Sequence, residues 1–236
     1  MRIADIPGLS VIAGRHPSRY TKKPAESGGT ASPDEVPGAS GSAPEHLVIR
    51  PAAVADGIID VTALTAPEGF VAPEAGPFTQ EGDVVLETSL PFAAAYVGPG
   101  EEGLFVPNTC VVLRLDEEGR GRLDPLFLCG FLNLPLTNEL MRARATGLRG
   151  LVMNGKQVGD IEIPDAPIEE QRLVGRLVAA RMAQVRARRL AEQAEEKLMG
   201  AAYLGCEAVR KALAGDRVRT GEPTGDTRAD AGSEEK

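Results

Sequence analysis

Lysines and arginines gathered without intervening acids can neutralise phosphates or donate paired hydrogen bonds to guanine edges. Two stretches of this chain have that composition. Between Ile6 and Ala25 lie Arg15, Arg19, Lys22 and Lys23, and between Leu140 and Gly159 lie Arg142, Arg144, Arg149 and Lys156. From charge alone each stretch reads equally well as a solvated loop. Thr88 and Ser89, at the end of an apolar run, add hydroxyl donors, although Ser and Thr also commonly end strands. The formal net charge of the whole chain is −8. Domains that bind DNA are usually basic, so contact with phosphates would have to draw on positive charge held locally.

Other chemistries find little support. Gly98-Pro99-Gly100-Glu101-Glu102-Gly103 has the letters of a dinucleotide fingerprint, but two glutamates fill the loop and a strand-like run follows. Carboxylates there would repel a pyrophosphate and no helix N-terminus would receive it, so a β-turn is the better reading. There is no Gly-Lys-Ser/Thr phosphate loop and no Asn/Asp-Pro-Pro-aromatic tetrapeptide of the adenine-methyltransferase kind. His16 and His46 lie far apart, and Cys110, Cys129 and Cys206 form no close pair. No structural metal and no nucleophile–base pair is expected. Cys110 and Cys129 sit in apolar runs and read as buried, reduced thiols. The chain is expected to catalyse nothing by itself and to carry no cofactor.

The elements that must position these residues fall into a β-rich region and a helical one. Residues 1–20 enter through a first strand or short turn. Residues 24–46 are rich in Gly, Ser, Pro and Ala and read as a flexible insert. Short strands are expected at Leu47–Arg50, Ile58–Val61, Val84–Thr88, Ala94–Val97, Leu104–Val106 and Cys110–Leu115, bounded by Gly, Pro, Asn and Asp. Helices are expected over Pro125–Leu132 and Thr137–Arg144. The domain therefore spans 1–165, and the fold class is α+β: a curled sheet or irregular barrel with short helices, then one long helix.

That helix is expected over 167–214, with Pro167 in its first turn and Glu169 and Glu170 favouring its N-terminus. At ~1.5 Å per residue it would be roughly 70 Å long. Leu173, Leu177, Ala180, Gln184, Ala187, Ala191, Ala194, Leu198 and Ala201 recur at alternating spacings of four and three, a heptad seam whose small residues admit a close partner helix. Gln184 either sets the register or is merely tolerated. The six arginines between 172 and 189 are a second candidate DNA feature, read here as a solvated face or one that meets a partner's acids. Residues 215–236 lack periodicity and read as a disordered tail. No apolar stretch approaches a membrane span and the N-terminus is no signal peptide, so a cytoplasmic location is expected.

Taken in order, several runs resemble the target-recognition domain of a type I restriction–modification specificity subunit. They are Arg2-Ile3-Ala4-Asp5-Ile6 with Gly14-Arg15-His16-Pro17-Ser18, then Val48-Ile49-Arg50-Pro51 with Asp56-Gly57. Next come Phe78-Thr79-Gln80-Glu81-Gly82-Asp83-Val84-Val85-Leu86 and Thr146-Gly147. Last come Ile161-Glu162-Ile163-Pro164 and Pro167-Ile168-Glu169-Glu170-Gln171, the most specific piece. The resemblance covers residues 1 to about 205. It implies a non-catalytic subunit that reads double-stranded DNA for an adenine methyltransferase and, in the full complex, a restriction subunit. S-adenosylmethionine would belong to the methyltransferase.

The usual subunit of that family has two recognition domains held apart by two antiparallel helices, whereas this chain has one of each. Pairing of two copies, or of this chain with a different second half, would rebuild the pattern; a two-fold dimer would read a palindromic bipartite site. The alternative is an assembly or regulatory protein that acts through its helix without binding DNA, a reading the acidic balance favours.

Overall fold

The computed structural model describes residues 1–21, 47–147 and 150–206. Lys22, Lys23, Arg149, the 24–46 insert, residues 207–214 and the 215–236 tail lie outside them. Among the described residues six strands run in chain order: β1 (Leu9–Ala13), β2 (Val54–Ala55), β3 (Ile58–Ile59), β4 (Val84–Glu87), β5 (Ala94–Tyr96) and β6 (Cys110–Leu115). Five helices follow or intervene: α1 (Glu117–Arg120), α2 (Pro125–Leu132), α3 (Pro135–Arg144), α4 (Gly155–Gly159) and α5 (Ile168–Gly205). The fold is α+β, with an open, curled antiparallel sheet of order β1-β6-β4-β5 and a small β2–β3 hairpin.

Burial explains why β4 and β6 are the uninterrupted apolar runs. Successive side chains of a strand point to opposite faces. Val84, Leu86, Val111, Leu113 and Leu115 join Leu123, Leu128 and Leu132 on one face. Val85, Cys110 and Val112 join Ile49, Ile59, Val97 and Val106 on the other. Covered on both sides, these strands need no polar alternation.

Two expected strands are isolated bridges instead. Val48 bridges Thr65 and Phe105, and Phe105 also bridges Phe78. Pro51 and Pro107 close these runs, and a residue without an N–H cannot extend a ladder. Val61 leaves its strand for a 3-10 turn over Val61–Ala63, capped by Asp60, whose side chain accepts from Thr62 N at 3.0 Å. The first residues form a 3-10 turn over Ile3–Asp5 before β1. Helix α3 begins two residues earlier than expected, at Pro135, where a first-turn proline belongs.

The Gly-Asp-Val turn has a physical basis. Gly82 adopts φ +89. Asp83 turns its carboxylate inward, accepting from Gln80 N at 2.7 Å and from both Arg114 Nε and an Arg114 terminal nitrogen at 2.9 and 2.7 Å. In the Gly98–Gly103 loop, Glu101 accepts from Gly98 N at 2.8 Å and from Arg186 at 2.9 Å. The loop is thus a self-capped turn whose carboxylate stands where a phosphate would need room.

The chain divides into two compact units, Met1–Arg186 and Ala187–Lys236. Within the first, α5 docks through Gln171, Gly175 and Met182, all buried. A Cβ on Gly175 would collide with the Asp124 carboxylate, and one on Gly130 of α2 would lie 2.6 Å from Val178. Gln171 is 1% exposed, yet each polar atom of its amide is engaged. Its oxygen accepts from Asp124 N at 3.1 Å, and its nitrogen donates to the carbonyls of Arg122 at 3.1 Å and Ala166 at 2.8 Å. Asp124 in turn caps α2. The docked stripe is therefore not the heptad seam, whose positions Leu173, Leu177, Ala180, Gln184, Ala187, Ala191, Ala194 and Leu198 are all exposed.

Cys110 and Cys129 are buried and Cys206 is exposed. Burial pushes both interior thiols up to about 12. A thiol reagent at neutral pH should label Cys206 alone in the native chain; rapid labelling of Cys110 or Cys129 would contradict this packing. Gln171→Leu strands one N–H and two carbonyls at the helix junction. It should cost roughly 2–3 kcal/mol in urea unfolding, and a loss below experimental error would count against the junction as described.

Candidate nucleic-acid interface

One end of the central sheet collects Arg15, Thr88, Ser89 and the bridge between Thr146 and Val152. Register places Ala13 opposite Val111, Glu87 opposite Cys110 and Leu86 opposite Ala94, so β1 and β4 finish where β5 and β6 begin. Gly14 N donates to Cys110 O at 3.1 Å, and a Cβ on Gly14 would run into the Pro107 carbonyl. This close approach turns the chain into the Arg15 loop. Arg15 N donates to Val106 O at 3.1 Å, and its guanidinium reaches Tyr20 Oη at 3.3 Å and Ala75 O at 3.4 Å. Arg19, in the 3-10 turn Pro17–Tyr20, is exposed and has no bonded or ionic side-chain partner among the described residues.

Thr88 and Ser89 continue β4 into the same end, but their hydroxyls serve the fold. Thr88 is buried, and its hydroxyl donates to Thr109 O at 2.9 Å. Ser89 is half-buried and donates to a Glu87 carboxylate oxygen at 3.0 Å. The backbone there binds the second basic stretch. Met153 N donates to Thr88 O at 2.8 Å, and Val152 bridges both Ser89 and Thr146. This small ribbon follows directly on α3, whose last turn carries Arg142 and Arg144. Arg144 donates to Asp160 O at 2.7 Å, while its carbonyl accepts from Gln157 at 2.8 Å. Arg142 and Lys156 are exposed, with no ionic or hydrogen-bonded side-chain partner among the described residues.

The structure thus gathers Arg15, Thr88, Ser89 and the Thr146–Met153 ribbon about one sheet end. Lys156 stands on α4, which packs on β1 and is held by a capping box between Asn154 and Gln157. Arg144 is partly consumed by its bond to Asp160 O. Lys22, Lys23 and Arg149 lie outside the described residues. Among the described residues no group of three His, Cys, Asp or Glu side chains could hold a metal ion. No described helix is long and apolar enough to cross a membrane.

Sequence reasoning missed two features of this end. Glu87 is 3% exposed, a carboxylate beneath the Thr88–Ser89 turn. Burial raises its pKa, partly offset by the Ser89 hydrogen bond. Its place as the last residue of an otherwise apolar strand was the only available signal. Half-buried Tyr20, Phe70 and Phe78 also stand edge-on to buried Phe105, with ring centroids 5.2–5.8 Å apart. Their spread along the chain hid that cluster.

A folded-state pKa raised above the unfolded value gives a stability contribution that is full below the ordinary carboxylate range and is lost as pH rises through the folded value. Glu87→Gln keeps an oxygen for Ser89 but removes the charge. It should raise Tm at about pH 8 and leave it unchanged near about pH 4. An equal shift at both pH values would contradict a buried, charge-penalised Glu87.

A scan against protein-family models and a search of curated proteins returned no match. Among solved structures, the chain is similar to the crystal structure of the HsdS subunit from Thermoanaerobacter tengcongensis. The TM-score is 0.48 at 23% identity, over 84% of this chain and 49% of that one. A structure bearing on complex assembly and conformational transition of the type I R-M system matches with a TM-score of 0.48 at 20% identity, over 86% and 50%. Both neighbours come from type I R-M systems or their HsdS subunit, and this chain spans about half their length.

Proposed function

We propose that this chain is a half-length specificity subunit that reads double-stranded DNA on behalf of an adenine methyltransferase. The observation that carries the reading is that the Arg15 turn and Val152, each from an acid-free basic stretch, meet the same sheet end, at Pro107 and at Ser89, in a chain whose net charge is otherwise negative. Exposed Arg19, Arg142 and Lys156 are free to take phosphates, and Lys22, Lys23 and Arg149 add positive charge to the same two stretches of sequence. Arg15, braced by Tyr20 and the Ala75 carbonyl, suits a fixed contact to a base edge or phosphate. Thr88 and Ser89 act by holding the ribbon in place, since their hydroxyls already have partners. The chain supplies recognition; the methyltransferase supplies S-adenosylmethionine and the chemistry, whether or not a restriction subunit joins the complex. The chain works in the cytoplasm, where its DNA is, and a second half-subunit completes the bipartite reader.

A second reading has one observation in its favour. With the seam open and the net charge at −8, the chain also suits an assembly protein that acts through its helix without touching DNA.

Co-expression with its cognate adenine methyltransferase, followed by mapping of modified adenines, separates the two. Recognition predicts a bipartite motif, palindromic if the second half is another copy. A soluble, assembled complex that modifies no defined motif would overturn it. Arg142→Glu with Lys156→Glu should weaken DNA binding at least ~10-fold. The slope of log affinity against log salt should also become shallower, by about 1 for each phosphate no longer neutralised. The oligomer should be unchanged; binding equal to wild type would place the interface elsewhere.

A further inference from the structure

Resting on the half-subunit reading, we infer that Arg15 reads a guanine edge and that Tyr20 is the positioning residue that holds its guanidinium for that contact. Arg15 is exposed, but neither end of it is loose. Its backbone N–H donates to Val106 O at 3.1 Å. Its Nη1 donates to Tyr20 Oη at 3.3 Å and to Ala75 O at 3.4 Å. Nε and Nη2 have no partner among the described residues. One part of the planar fork is thus tied down, and the other is left as a pair of parallel N–H donors.

The brace is itself held. Tyr20 is half-buried, and its ring stands edge-on to Phe105 with centroids 5.6 Å apart. Phe105 is fully buried, and Phe70 and Phe78 stand edge-on to it as well. Main-chain bonds pin the same residues: Val71 N donates to Tyr20 O at 2.7 Å, and Phe105 N donates to Leu47 O at 2.9 Å. Arg19 N to His16 O at 3.2 Å and Thr21 Oγ1 to Ser18 O at 3.0 Å close the turn that joins Arg15 to Tyr20. The root of Arg15 hangs on Val106 and its tip, through Tyr20, on Phe105. Two consecutive residues of one buried run fix both.

A phosphate needs only a cation within reach, and exposed Arg19, Arg142 and Lys156 meet that need without a brace. A base edge demands a donor pair fixed in place, and a guanidinium ordered beforehand loses little freedom on contact. The braces of Arg15 are a hydroxyl and a carbonyl, not carboxylates, so they orient the group without cancelling its charge. In the major groove guanine alone offers two acceptors, O6 and N7, to such a pair. Adenine sets an amino group beside its N7, cytosine offers an amino group, and thymine has one oxygen beside a methyl.

The test maps modified adenines for the full chain and two variants, each co-expressed with the cognate methyltransferase. The wild-type motif should fix a G·C pair in the half-site this chain reads. Arg15→Lys keeps the charge but not the braced fork, and should relax the preference at that one pair at least ~5-fold. Tyr20→Phe keeps the ring on Phe105 and removes only the hydroxyl. It should relax the same pair at least ~3-fold, with the rest of the motif kept and the urea midpoint unchanged. Where modification falls too low to map, competition between duplexes with and without the G·C pair gives the same ratio. A phosphate contact would tolerate lysine, so an unrelaxed motif in Arg15→Lys would overturn the guanine contact. A relaxed pair in Arg15→Lys with wild-type preference in Tyr20→Phe would overturn the positioning role, as would a uniform loss at every site. A wild-type motif without a G·C pair sinks the proposal but leaves DNA recognition standing, whereas no wild-type motif at all is the failure of both.

Discussion

A single carboxamide governs where the long helix begins. Gln171 is buried where water cannot compensate a missing partner, so its amide must satisfy the Asp124 N–H and the carbonyls of Arg122 and Ala166 together. Meeting all three requires a fixed position along the helix and a fixed rotation about its axis. Glycine at 175 then allows the helix backbone to come down onto the Asp124 carboxylate that caps α2. One turn further, Val178 fills the space beside Gly130. The stripe left facing solvent is what remains after these contacts are made. It is the leucine and alanine seam.

The negative net charge says less about the surface than it first suggests. Several acids are committed to local structure. Asp60, Asp116 and Asp124 cap helical turns. Asp83 and Glu101 receive backbone N–H groups and arginines inside the domain, and Glu87 is buried under Ser89. Their charges are compensated by fixed donors or sequestered from solvent. Arg19, Arg142 and Lys156, by contrast, remain exposed, with side chains unpaired among the described residues. A formal total weights these groups equally. An ion approaching the surface would not.

Much of the fold was legible in local pattern. Cys110–Leu115 and Pro125–Leu132 have the bounds expected from an apolar run and from a capped proline start. Leu47–Arg50 and Leu104–Val106 look like strands because each is apolar and closed by proline. Their pairing is decided by Thr65, Phe78 and Phe105, which are distant in the chain. The candidate site was legible as two basic stretches, but not the bridge by which Val152 ties the second of them to Ser89. Thr88 and Ser89, read as possible hydroxyl donors, have those hydroxyls taken by Thr109 O and Glu87, because a hydroxyl at a strand end reads the same whether it faces solvent or a neighbouring acceptor. The docked stripe of α5 was missed because glutamine and glycine carry no apolar signal, whereas the leucine and alanine seam is the more regular pattern.

The helix is anchored at the end of the sheet where β6 leaves for α1 and α2 and where the Glu101 turn meets Arg186. The basic loops hang from the other end, where Gly14, Thr109 and Ser89 meet. No hydrogen bond of the Gln171 anchor runs through those loops. Their residues can therefore be exchanged without disturbing the seat of the helix. Sequence change at the loop end is thereby uncoupled from the seat of the helix.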